Sequence, residues 1–206
     1  MAKLFYHGHG SLRLRSDDGF VIYLDPFLGS GYDLPADLIL VTHQHNDHKQ
    51  VDRPAKKPDC RINYNTEMMC DKVGKTVSIG GITVEAVPAY NDHHPVSDNC
   101  CGYIIGIDGL KLYFAGDTST TAEMPALAAR KLDYCFLPTD GYYNMGPVEA
   151  GECAKLIGAR HSVPIHSVPM HGLPEDFMAV AYSVEAFNAF TGPNKLQLSP
   201  GTEIEL

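Results

Sequence analysis

The chain has 206 residues, 44% hydrophobic and 20% charged, an ordinary globular balance that excludes a disordered polar chain. Sixteen Lys and Arg face 25 Asp and Glu, a net charge of −9, so phosphate-mediated binding to nucleic acid is not expected. The longest stretch free of Asp, Glu, Lys and Arg, 161–174, contains three His and three Pro and does not read as a membrane span. The N-terminus has no apolar run of signal-peptide length, so a cytoplasmic protein is expected.

The first half reads as short strands: Lys3–Tyr6, Ser11–Arg15, Phe20–Leu24, Leu38–Thr42, Thr76–Ile79, Ile82–Val87, Gly102–Ile107 and Lys111–Ala115. Asp17-Asp18-Gly19, Gly80-Gly81 and Asp108-Gly109 are turn signals, and each predicts a hairpin. Region 51–75 is the loosest part and reads as a surface excursion. Helical patterns follow. Thr120–Leu132 ends on basic residues, Pro147–Ile157 starts on Pro and stops before Gly158, and Pro174–Phe190 has Glu175 and Asp176 early. Two further strands, Tyr134–Pro138 and Ser162–Ile165, alternate with them. This order predicts a layered α/β protein, two sheets inside and helices outside, in one domain spanning 1–206. The six cysteines, at 60, 70, 100, 101, 135 and 153, form no Cys-x-x-Cys and read as buried, reduced thiols.

The chemistry concentrates where the strand ending at Thr42 runs into His43-Gln-His45-Asn-Asp47-His48. Four metal-capable side chains fall within six residues. Neutral imidazole and carboxylate suit Zn²⁺ and similar divalent ions. A loop leaving a strand can turn His43 and His45 to one side and Asp47 and His48 to the other, which suits two metals. Six residues cannot close two coordination spheres. Three later residues that follow strands can contribute: His94, Asp117 in Ala-Gly-Asp-Thr118, and His166 behind Pro164. His93 competes with His94, and His161 and His171 flank His166.

His-x-His-x-Asp-His, the later His, Ala-Gly-Asp-Thr and the final Pro-x-His resemble the metallo-β-lactamase superfamily. Tyr23-Leu-Asp-Pro-Phe-Leu28, Val41-Thr-His43, Phe114–Thr118 and Asn144-Met-Gly-Pro-Val-Glu-Ala150 resemble its small metal-dependent hydrolase branch, which has lactonase-like and phosphodiesterase-like members. The resemblance implies a four-layer αββα sandwich with a two-metal site at one edge of the sheets. It implies His43, His45 and His94 on the first metal, Asp47, His48 and His166 on the second, and Asp117 bridging. Asp25 resembles an acidic residue behind the site; a turn-capping Asp is the competing reading. His7-Gly-His9-Gly-Ser11 is similar to a Gly-His-Ser turn of this branch, with His9 expected at the pocket rim, touching substrate or donating a proton. Tyr142, Tyr143 and Met145 could line the entrance.

The expected activity is hydrolysis of a small anionic ester, lactone or phosphoester. Two divalent ions, Zn²⁺ first and Mn²⁺ or Fe²⁺ compatible, would activate water, with Asp47 accepting its proton. Two other classes remain open: an iron-dependent oxidoreductase, persulfide dioxygenase-like, and a metal-binding protein without catalysis. A di-iron oxygen-reducing enzyme would have Glu where this chain has His45. The best-known β-lactam hydrolases have Cys where it has Asp117.

Overall fold

The computed structural model describes residues 1–168 and 183–206. Its elements in chain order are β1 (Lys3–Gly8), β2 (Ser11–Arg15), β3 (Val21–Leu24), β4 (Ala36–Val41), β5 (Lys56–Tyr64), α1 (Asn65–Met68), β6 (Met69–Cys70), β7 (Val73–Gly74), β8 (Thr76–Ile79) and β9 (Ile82–Pro88). After these come β10 (Cys101–Ile107), β11 (Leu110–Phe114), β12 (Tyr134–Pro138), α2 (Pro147–Ile157), β13 (His161–Ile165), α3 (Val184–Ala189) and β14 (Thr202–Glu205). Each of the three turn signals sits between antiparallel strands, at β2–β3, β8–β9 and β10–β11. Asp108 and Gly109 both have positive φ, as do Gly80 and Gly81, the backbone a two-residue hairpin turn requires.

Two six-stranded sheets result, in the orders β14-β1-β2-β3-β4-β5 and β13-β12-β11-β10-β9-β8, with β6 and β7 as a separate ribbon. The sheets share one pattern. In each, four strands pair antiparallel and two more join in parallel at one edge, β4 and β5 in the first sheet and β12 and β13 in the second. Alternate residues (Leu4 and Tyr6, Leu12 and Leu14, Leu38 and Leu40) face Val84, Tyr103, Ile105, Phe114 and Val163 of the other sheet in the shared core. The outer face of the second sheet, including Ile104, Tyr113 and Leu137, packs with Met124, Leu127, Phe190 and the apolar side of α2. The outer face of the first, including Tyr23, Ile39 and Val41, is covered by Tyr32, Leu34 and Val51. The architecture is the αββα sandwich. Among the described residues, that second outer layer is built from loops.

Some expectations need correction. Region 51–75 contains β5, an edge strand paired in parallel with β4. Its Lys56-Lys57-Pro58-Asp59 run hides it from an apolar pattern, and an edge is where a sheet tolerates Pro. Thr120–Leu132 is not an α-helix but a 3₁₀ turn over Met124–Arg130. Thr120 instead donates its amide and hydroxyl to Glu149 at the start of α2 (2.9 and 2.8 Å), and Pro125 has no amide to donate. Of the helix expected over 174–190, α3 covers Val184–Ala189, capped by Ser183, and 174–182 lie outside the described residues. No helix among the described residues is long and apolar enough to cross a membrane.

Candidate metal centre

Strand direction gathers the site. β3 and β4 are parallel, and β1 points the same way because two antiparallel steps separate it from β3. By the same count β9, β11, β12 and β13 point together. Their C-terminal ends deliver His9 after β1, Asp25 after β3, His43–His48 after β4, His94 after β9, Asp117 after β11, Asp140 after β12 and His166 after β13. The Cys101 amide donates to Thr42 O (3.0 Å) and the His166 amide to His9 O (2.9 Å), tying these ends together. A side chain at Gly116 would come within 2.8 Å of Thr42 Cβ, so the residue before Asp117 must be glycine for β11 to approach β4. His9, Asp25 and His166 all have left-handed backbones (φ +53, +44 and +48°). Such conformations cost energy and cluster at functional sites.

Two groups of donor atoms face each other. In each, all ligand atoms lie within 4.8 Å of one another: His43, His45 and His94 form one, and His9, Asp47, His48 and His166 the other. Asp117 lies between them. Its Oδ2 is 3.9 Å from His43 Nε2, 3.7 Å from His94 Nε2 and 3.5 Å from His166 Nε2, and its Oδ1 is 3.4 Å from His48 Nε2. Nε2 of His43, His48 and His166 are buried and make no hydrogen bond among the described residues. Buried polar nitrogens are rarely left unpaired. Several converging on a carboxylate fit a divalent cation with N and O donors.

The opposite ring nitrogens explain why these lone pairs point inward. A carboxylate only accepts, so Thr42 Oγ1 donates to Asp25 Oδ2 (2.6 Å) and accepts from His43 Nδ1 (2.9 Å). Asp25 also accepts the Thr42 amide (2.8 Å) and His48 Nδ1–H (2.8 Å). Asn91 Oδ1 accepts the His93 and His94 amides and lies 3.0 Å from His94 Nδ1. Asp140 Oδ2 lies 3.4 Å from His166 Nδ1. The inward Nε2 atoms of His43, His48 and His166 stay unpaired, while that of His94 lies 3.3 Å from His45 Nδ1; an outer group commonly orients a ligating imidazole in this way.

The charges follow from burial and neighbours. Burial opposes a proton on His48, but Asp117, Asp25 and Asp47 outweigh it and push the ring up to about 10, so a cation taking Nε2 displaces a proton. Burial holds His43 well below its ordinary value and His94 down to about 4. Burial would raise Asp117, yet the imidazoles around it, His166 foremost, keep it well below the usual carboxylate range.

The seven residues His43, His45, Asp47, His48, His94, Asp117 and His166 thus converge on one place. His93 is exposed, its ring 5.2 Å from that of Tyr143. His161 lies within β13, stacked on Tyr134, and His171 is outside the described residues. Asp25 is both things expected of it, a cap on the Thr42 amide and the partner of His48. His9 is a correction. It is not at the rim: its side chain is 1% exposed, packed against His166, with Nε2 3.0 Å from Asp47 Oδ2. A cleft of about 340 Å³ opens over the cluster, lined by His45, Asn46, Asp47, Asp117, Tyr143 and His166. Tyr143 therefore reaches the entrance, whereas Met145 is buried and Tyr142 projects from the surface. Sequence reasoning missed Asn91 and Asp140. Asp140 follows β12 just as Asp117 follows β11, and that position was the available signal.

A family model described as a beta-lactamase superfamily domain matches residues 3–166. The chain belongs to the beta-lactamase superfamily. It is a metal-dependent hydrolase of that superfamily, with a His/Asp cluster able to bind metal. It is 32% identical to the UPF0173 metal-dependent hydrolase of Thermococcus onnurineus and 30% identical to that of Thermococcus kodakarensis, both alignments covering 100% of each chain. A candidate metal-dependent hydrolase from Parabacteroides distasonis superposes with a TM-score of 0.75 at 30% identity, covering 94% of this chain and 90% of that one.

Proposed function

We propose that this hydrolase uses two divalent ions, Zn²⁺ or a similar metal, to cleave a small anionic ester, lactone or phosphoester. His43, His45 and His94 would hold one ion, Asp47, His48 and His166 the other, and Asp117 would bridge them. One observation carries this reading. A single carboxylate, Asp117, lies within 3.9 Å of inward nitrogens from both donor groups, and three of those nitrogens have no other partner among the described residues. When bound, such ions supply Lewis-acid polarisation of the scissile group and lower the pKa of a coordinated water.

The chain's residues do the rest. Asp25, directly and through Thr42, keeps one ring of each donor group, His48 and His43, in the metal-binding tautomer. Asp47 lines the cleft, and its carboxylate accepts the nucleophile's proton. Its pKa is depressed, the His9 contact and nearby imidazoles outweighing burial, so it stands ionised and able to bind a cation. Two divalent ions against two ligand carboxylates would leave the cleft locally positive, which favours an anionic substrate despite the acidic chain. Tyr143 at the cleft wall offers an apolar face beside it.

The test is Asp117→Asn, which keeps shape and removes charge. If Asp117 bridges, the purified variant holds fewer than two metals per chain. It also loses most of its turnover on whichever phosphodiester, lactone or thioester of a substrate panel the wild type cleaves. Two metals retained with near-normal turnover would remove Asp117 from the site.

A further inference from the structure

His9 stands apart from the other buried imidazoles of the centre. His43, His48 and His94 each have a hydrogen-bonding oxygen on the nitrogen that faces away from the cluster (Thr42, Asp25 and Asn91), and His166 Nδ1, which makes no hydrogen bond among the described residues, still has the Asp140 carboxylate at 3.4 Å. His9 has no such oxygen. Its Nδ1 is buried without a hydrogen-bond partner among the described residues, while Nε2 lies 3.0 Å from Asp47 Oδ2. A neutral imidazole carries one N–H. Placed on Nδ1, that proton would be a buried donor bonded to nothing, and the Nε2 lone pair would face a carboxylate lone pair. Placed on Nε2, it makes a charge-assisted hydrogen bond and removes both costs.

We infer that His9 is a positioning residue, an Nε2–H donor that orients the Asp47 carboxylate for the second ion, and not itself a ligand. The inference rests on the ligand role proposed for Asp47. The oxygen His9 contacts is the metal-facing one: Asp47 Oδ2 is also 3.6 Å from His48 Nε2 and 3.9 Å from His166 Nε2. A carboxylate oxygen has two lone pairs, so His9 can occupy one, fix the rotation of the group and leave the other for a cation. The ring itself is held firmly. It packs against His166 (3.6 Å between centroids) and Phe27 (5.5 Å), and its carbonyl accepts from Tyr6 Oη and the His166 amide (both 2.9 Å). Glycine at position 10 belongs to the same arrangement: a Cβ there would meet His48 Cε1 at 2.9 Å.

Two measurements on the full chain test this. Long-range ¹H–¹⁵N spectra of the zinc-loaded protein, with His9 assigned by the His9→Phe variant, report which nitrogen bears the proton. Nε2–H with a bare Nδ1 is expected; a proton on Nδ1 would make His9 a ligand and overturn the inference. Titrating apo protein with Zn²⁺ then separates the two ions. His9→Phe keeps a ring between Phe27 and His166 without the donor. It should hold one ion normally and the other about 10–100-fold more weakly. His9→Gln, whose amide N–H reaches the same region, should recover most of that loss. Wild-type affinity for both ions in His9→Phe, or a Gln variant no better than Phe, refutes the role. If His9→Phe fails to fold, the Gln variant assigns the signal and the wild-type tautomer decides. A wild type that takes up only one ion would defeat the two-metal reading, and the tautomer would still decide His9.

Discussion

Asp25→Asn should disable both donor groups while leaving the protein folded. The buried Asp25 carboxylate accepts three hydrogen bonds, from the Thr42 amide, the Thr42 hydroxyl and His48 Nδ1. In Asn, the carbonyl can still accept the amide, but an NH₂ now occupies the place of Oδ2. That NH₂ must find acceptors. The Thr42 hydroxyl turns round to accept from it and donates to His43, and His48 Nδ1 becomes an acceptor. Both rings are thereby driven to carry their proton on Nε2, the atom that faces the metals. His43 belongs to one donor group and His48 to the other, so both ions suffer. Loss of an orienting partner weakens a metal site about 10–100-fold, or about 1.4–2.7 kcal/mol per ion. Apo stability should fall by at most about 3–5 kcal/mol, because the change removes one partner of the buried Asp25–His48 pair and His48 must give up its proton. Calorimetric metal titration beside a thermal melt of the apo variant reads both quantities. Two ions bound at wild-type affinity would refute the tautomer argument. Weakening of only one would show that the Thr42 link to His43 transmits nothing.

Two other outcomes follow from buried groups. His7 donates Nδ1–H to Ser30 O (2.7 Å) and stacks on Tyr32, and burial lowers its pKa to about 4. A base depressed in the folded state gives stability that is present above the unfolded pKa and lost as pH falls from about 6.5 toward 4. For His7 alone that is about 2 kcal/mol between pH 7 and pH 5, so the melting temperature of His7→Phe should fall less over this interval than that of the wild type; parallel curves would exclude His7 as the cause. Cys100 and Cys101 are buried, and burial pushes Cys100 up to about 12. Cys101→Ser should cost about 1–3 kcal/mol of stability, read by chemical denaturation, with metal content and turnover unchanged; lost turnover at intact metal content would make the thiol functional.

Residue type and local pattern were enough to reveal the hairpins, the strand ends, the His43–His48 run, Asp117 and His166, while the family resemblance singled out His94 from His93. A turn that needs positive φ shows itself as Asp-Gly or Gly-Gly, and an apolar strand running into His-x-His-x-Asp-His shows itself within twelve residues. What stayed hidden depends on neighbours rather than on local pattern. β5 is polar because it lies at an edge. The segment after Thr120 abandons its helical spacing because Glu149, 29 positions away, competes for its donors.

The same division runs through the site itself and limits what its motif can say. Which side chains could bind metal is written in the type of each residue. Which nitrogen each ring offers is decided by partners that lie 17 positions away for Thr42 and Asp25, 23 for His48 and Asp25, and 38 for His9 and Asp47. His9 shows the consequence most directly. The likeness of His7-Gly-His9-Gly-Ser11 to a Gly-His-Ser turn of the family branch suggested a residue at the rim. But β1 points its C-terminal end into the same edge as β4 and β13, and the left-handed backbone at residue 9 turns the ring inward onto Asp47. Two equally metal-capable histidines, His9 and His48, thus take different parts. His48 has a carboxylate behind it and His9 has its carboxylate in front, so on the proposed reading one ring offers a lone pair to a cation while the other hands a proton to the group that does.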